Sequence, residues 1–86
     1  MYSIIFLPEA EKVYKKLASA DKSIFLRIAN SLEALKGEPL QGKPLKGRLE
    51  GKRSLRVGNF RIIYSVIQQK LVVYVFDIGH RREVYR

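Results

Sequence analysis

Residues 48–64 read RLEGKRSLRVGNFRIIY, and Gly58-Asn59 sits between two runs, 53–57 and 60–67, rich in β-branched, aromatic and alternating apolar residues. A two-residue Gly-Asn connection between such runs is a signal for a primed hairpin turn. The spacing predicts a β-hairpin that sets Val57 opposite Phe60, Arg56 opposite Arg61, Leu55 opposite Ile62, Ser54 opposite Ile63, Arg53 opposite Tyr64 and Lys52 opposite Ser65. Because side chains alternate along a strand, Leu55, Val57, Phe60, Ile62 and Tyr64 share one face, expected to be core, and Lys52, Ser54, Arg56 and Arg61 share the other. Like charges directly opposed across a ladder cost roughly 0.2–1 kcal/mol. Folding stability alone does not ask for two facing guanidinium groups; a polyanion does.

The basic charge is concentrated around this hairpin. The chain has 86 residues and net charge +9; residues 1–40 hold six Lys/Arg against five Asp/Glu, and residues 41–86 hold eleven against three. Such a field suits nucleic acid, an acidic protein or an anionic membrane surface. The membrane is the poorest fit, since no stretch joins a basic helix face to a large apolar one. The length predicts one domain spanning residues 1–86. The sequence has no Cys, so no disulfide framework or thiolate metal site is available, in keeping with a reducing compartment. The start MYSIIFLPEAEK lacks the basic segment and long apolar run of a signal peptide. A soluble cytoplasmic protein is expected.

Around the hairpin the remaining chain supplies a cover. Residues 2–6 (YSIIF) read as a strand closed by Leu7-Pro8. Ala10, Val13, Tyr14 and Leu17 then form a helical stripe, with Glu9 and Glu11 near the positive end of the dipole. Ser19 or Asp21 is suited to cap a second helix carrying Ile24, Phe25, Ile28, Leu32 and Leu35, with Gly37 expected as the residue that ends it. Two such helices on so short a link predict a helical hairpin. Residues 37–51 (GEPLQGKPLKGRLEG) read as a basic loop or irregular edge, and residues 71–78 (LVVYVFDI) as a central strand after a tight turn. The order β-α-α-β-β-β predicts an α+β fold, with the helices on one face of a largely antiparallel sheet.

The residue inventory narrows the chemistry. Metal-dependent hydrolysis needs converging carboxylates or a His/Cys cluster, and the C-terminal half offers Glu50, Asp77, Glu83 and the single His80. No metal site and no cofactor are expected. The glycines precede a strand rather than joining a strand to a helix, unlike a phosphate loop. A basic face is suited to one metal-free reaction, the attack of an RNA 2′-hydroxyl on its own adjacent phosphate. Arginines bind the phosphate oxygens in bidentate fashion and stabilise the charge growing on them. Positive neighbours also favour a neutral lysine amine or a phenolate, which can then move the protons.

The segments PLKGRLEGKRSLRVGNFRIIYSV and VYVFDIGHRREVY resemble the RelE/ParE superfamily of toxin–antitoxin toxins, and the resemblance covers nearly the whole chain. It implies a metal-independent endoribonuclease of RelE type that cleaves mRNA in the ribosomal A site and is neutralised by a cognate antitoxin. By motif, the catalytic positions fall on Lys52, Arg61, Arg81 and Tyr85. The family pattern has a second lysine where this chain has Ser54, which leaves the general base to Lys52, Arg53 or Tyr85. Lys43, Lys46, Arg48, Arg53, Arg56 and Arg82 are expected to meet ribosomal or messenger RNA, with His80 and Ser54 as further candidates. Each has a blander reading: Arg61 as the partner of Asp77 or Glu83, Tyr85 as a packed or frayed terminus, His80 as a surface group. Two rival functions stand beside this one, a ParE-like inhibitor of DNA gyrase and a non-catalytic basic module that binds nucleic acid.

Overall fold

A computed structural model describes residues 1–80. Strand β1 (Ser3–Phe6) leads into helix α1 (Pro8–Ala20), which begins with Pro8 in its first turn, where the missing N–H would have had no partner in any case. Only Asp21 separates α1 from helix α2 (Lys22–Gly37). Its backbone N–H closes the end of α1 on the Leu17 carbonyl, and its Oδ1 accepts from the Ile24 N–H at 3.2 Å to open α2. Of the two residues suited to capping, Asp21 is therefore the cap, while the Ser19 hydroxyl turns back to the Lys16 carbonyl. Gly37 is the last helical residue; the Glu38 N–H, just outside the helix, closes it by donating to the Ala34 carbonyl. The left-handed glycine expected there is not used.

The hairpin forms in the predicted register. Strand β3 (Arg53–Val57) pairs antiparallel with β4 (Phe60–Ile67) through Arg53–Tyr64, Ser54–Ile63, Leu55–Ile62, Arg56–Arg61 and Val57–Phe60. Gly58 takes a φ of 61° in the turn, the left-handed conformation that such loops require. Lys52 departs from the expectation: it lies just before β3, with its N–H on the Leu49 carbonyl and its carbonyl accepting from the Leu45 N–H. Strand β5 (Val72–His80) lies antiparallel to β4, and β1 adds parallel to β5 on its far side. Lys43–Pro44, within the expected loop, forms a two-residue strand β2 against β3. The sheet order is β1-β5-β4-β3-β2.

The helices cover one face. Ala10, Leu17, Ile24, Ile28, Leu32 and Leu35 pack on Val57, Ile62, Tyr64, Val73, Val75 and Ile78, with Leu55 and Phe60 against this cluster. Phe6, Tyr14 and Phe25 form a run of rings 4.8 and 4.7 Å apart that ties β1 to both helices. At about 25 cal/mol per Å² of apolar surface removed from water, this layer is the main stabilising term of the fold. Between Tyr64–Val75 and Ile63–Asp77 the register slips by one, leaving Phe76 as the extra residue of a β-bulge. A bulge bends its strand and re-aims side chains.

Candidate anion-binding face

The strand alternation that fills the core also builds the opposite face. Arg56 is exposed and directly opposite half-buried Arg61, and on the far side of Arg61 the strand partner is Gly79, which has no side chain. Arg61 Nη1 donates to Ser54 Oγ at 3.1 Å. Ser54 is only 4% exposed, so the serine that departs from the family pattern is a buried anchor for the Arg61 guanidinium. Lys43 is the strand partner of Ser54 on the outer side, and pairing places its exposed side chain on the same face. Beside them, Lys52 Nζ lies 4.5 Å from the centre of the Phe76 ring, a cation–π arrangement. The bulge thus gives a lysine an aromatic seat, and Phe76 is a site residue that the apolar run 71–78 gave no reason to single out.

Arg53 departs from its expected role. Its partner Tyr64 belongs to the helix-covered face, and its Nη1 donates to the carbonyls of Gly42 at 2.7 Å and Leu40 at 3.1 Å. The Tyr64 hydroxyl completes this clasp, accepting from the Gly42 N–H and donating to the Pro39 carbonyl, each at 2.8 Å. Burial pushes the Tyr64 phenol above its usual value, opposed by the Gly42 N–H and by the Arg53 charge. Arg53 is therefore a structural cation holding residues 39–42 to the sheet, and it does not share a face with Arg61. The clasp has one faint sequence signal: two residues that can donate, on a face otherwise reserved for apolar side chains.

His80 is paired with Phe60, their rings 5.8 Å apart edge to face, so its place in the register is with the covered side rather than with Arg56 and Arg61. Lys46 and Arg48 lie in the connection between β2 and β3, Arg48 in a short 3₁₀ turn. Arg81, Arg82 and Tyr85 fall outside the described residues. Asp77, near the site on β5, has its carboxyl pushed above the ordinary range by burial, against the Ile78 N–H that it accepts, with Glu9 adding to the rise. Among the described residues no three His, Cys, Asp or Glu side chains gather as metal ligands would, and no helix is long and apolar enough to cross a membrane.

A family model described as the ParE toxin of type II toxin–antitoxin systems, parDE, matches residues 4–85. The chain is 38% identical over 86 residues to Toxin RelG of Mycobacterium tuberculosis, covering 99% of this chain and 97% of that protein. It is 31% identical over 87 residues to the mRNA interferase toxin RelE of Escherichia coli, covering 98% and 90%. Among solved structures, the toxin–antitoxin complex RelBE2 of Mycobacterium tuberculosis contains a similar chain, with a TM-score of 0.80 and 29% identity over 93% of this chain and 98% of that one. A helical hairpin on one side of a five-stranded sheet and paired arginines on the other are thus joined by likeness along nearly the whole chain, which belongs to the ParE toxin family of type II toxin–antitoxin systems, with RelE-named toxins among its relatives.

Proposed function

We propose that this protein is an mRNA interferase: a metal-independent endoribonuclease that cuts messenger RNA in the ribosomal A site and is silenced by a cognate antitoxin. The observation that carries this reading is the Arg56–Arg61 pair, with Arg61 fastened to Ser54 and Lys43 and Lys52 close by. A guanidinium anchored by a buried acceptor is already oriented before the phosphate arrives. Pre-oriented donors are the ones that stabilise a transition state without reorganising. Arg61, with Arg81 from the tail, would hold the scissile phosphate and neutralise the charge that grows on it. Lys52 or Tyr85 would assist with protons or with binding. Lys43, Lys46, Arg48, Arg56 and Arg82 would meet the surrounding RNA, a role from which Arg53 is withdrawn by its carbonyl bonds.

The donor set favours a metal-free route, because a divalent ion prefers several oxygen ligands and this face offers guanidinium and ammonium groups instead. An antitoxin of acidic or amphipathic character, ordering as it binds, would suit the basic face. Such a protein would work in the cytoplasm, where its RNA is translated.

Ribosomes programmed with a defined message provide the test. Cutting of A-site mRNA that persists in a chelator supports the reading. Intact mRNA together with inhibition of gyrase supercoiling would transfer the chain to the gyrase-inhibiting alternative.

A further inference from the structure

We propose that Lys43 is the amine that accepts the 2′-hydroxyl proton, an assignment that rests on the ribonuclease reading above. Arginine does not give up its proton under working conditions. Among Arg56, Arg61 and the two lysines of this face, proton exchange therefore belongs to a lysine. Lys52 Nζ is held 4.5 Å from the centre of the Phe76 ring, a contact it would have to leave to reach a hydroxyl. Lys43 is exposed and is the direct strand partner of Ser54, the residue that holds Arg61. Adjacent strands lie about 4.8 Å apart, so the Lys43 side chain rises one strand away from the anchor of the phosphate-binding guanidinium.

A two-residue edge strand would not by itself hold a side chain in place. Here both flanks are fixed. Gly42 is bound through its N–H by Tyr64 and through its carbonyl by Arg53, and on the other side the Leu45 N–H donates to the Lys52 carbonyl at 2.9 Å. A Cβ on Gly42 would run into the Tyr64 hydroxyl, so only glycine permits this approach. The clasp that removes Arg53 from RNA contact is what presents Lys43 to it. Among the described residues the groups beside Lys43 are Ser54 and Arg56 of β3, Lys52 just before it, and Arg61 reaching Ser54 from β4.

In the step, the neutral Lys43 Nζ takes the 2′-hydroxyl proton as the O2′–P bond forms. The P–O5′ bond breaks, its electron pair leaves on O5′, and O5′ takes a proton from water. The products are a 2′,3′-cyclic phosphate and a 5′-hydroxyl, and the Lys43 ammonium returns its proton to solvent.

The experiment compares wild type, Lys43→Ala, Lys43→Arg and Lys52→Ala on programmed ribosomes, following cleavage rate against pH, binding to the programmed ribosome and thermal melting. Lys43→Ala and Lys43→Arg are both expected to lose about 100-fold or more in rate, the low end for general acid–base catalysis. Lys43→Arg should keep wild-type binding and melting. Cleavage by Lys43→Arg within about fivefold of wild type would overturn the proposal, since positive charge alone would then suffice. A loss confined to Lys52→Ala would also overturn it. A wild type that leaves mRNA intact while Arg61 and Lys43 remain in place would instead remove the ribonuclease reading itself, and this assignment with it.

Discussion

The two faces of the β3–β4 hairpin are made by the same two strands and differ in character. On the helix side Val57, Ile62 and Tyr64 disappear into a core. On the other side Arg56 and Arg61 stand opposed and Arg61 is tied to Ser54. Arg53 and Arg61 show the difference most directly. Each is half-buried and each donates through Nη1, but Arg53 binds the carbonyls of Leu40 and Gly42 on the covered side, whereas Arg61 binds the Ser54 hydroxyl on the other. The position on the strand decides which face of the sheet a guanidinium joins.

The sharpest way to break this contrast is Arg61→Ala, expected to lower mRNA cleavage at least about 100-fold, as loss of one oxyanion donor does. A loss under about fivefold, in single-turnover assays on programmed ribosomes, would refute its role. Next come changes on the covered side. Tyr64→Phe leaves the Gly42 N–H and the Pro39 carbonyl without their partner, and should lower unfolding free energy by about 1–3 kcal/mol in urea titration. Arg53→Ala should likewise cost stability while leaving the salt dependence of RNA binding unchanged. If it reduced that dependence, the division between the faces would fail. Arg56→Ala, on the open face, should reverse the pattern: stability within about 0.5 kcal/mol, but a salt slope of RNA binding smaller by about one unit.

The smallest effect concerns pH. Burial raises the Asp77 carboxyl above its ordinary value of 3.8, so the folded chain keeps this proton to higher pH than the unfolded chain. That contribution to stability is complete below the unfolded value and is lost as pH rises through the folded one. Asp77→Asn, neutral throughout, should therefore melt at a higher temperature than wild type near neutrality. The two should converge on acidification, which thermal unfolding followed by circular dichroism at several pH values will show.

Much of the site could be read from the chain because it depends on local rules. Gly58-Asn59 and the two-residue alternation set the hairpin register, and that register alone places Arg56 opposite Arg61. The roles of Arg53, His80 and Ser54 were less accessible. Arg53 reads as one more exposed cation until residues 39–42 fold across it, and His80 reads as a candidate site residue or a surface group until the β4–β5 pairing places it with Phe60. Ser54 looks like a lost functional group, and only its burial beside Arg61 shows it to be an acceptor.

The sequence by itself determined the two helices, the hairpin, the covering of one sheet face and the bias of positive charge toward the other. Helical stripes, capping, turn residues and strand alternation act over a few residues, so no distant partner is needed to read them. Tertiary structure alone decided that β1 runs parallel to β5, that Lys43–Pro44 becomes an edge strand, and that the bulge seats Phe76 beneath Lys52. These arrangements join residues roughly 10 to 70 positions apart, and each partner is chosen by packing or by the need to pair backbone polar groups that no local rule satisfies.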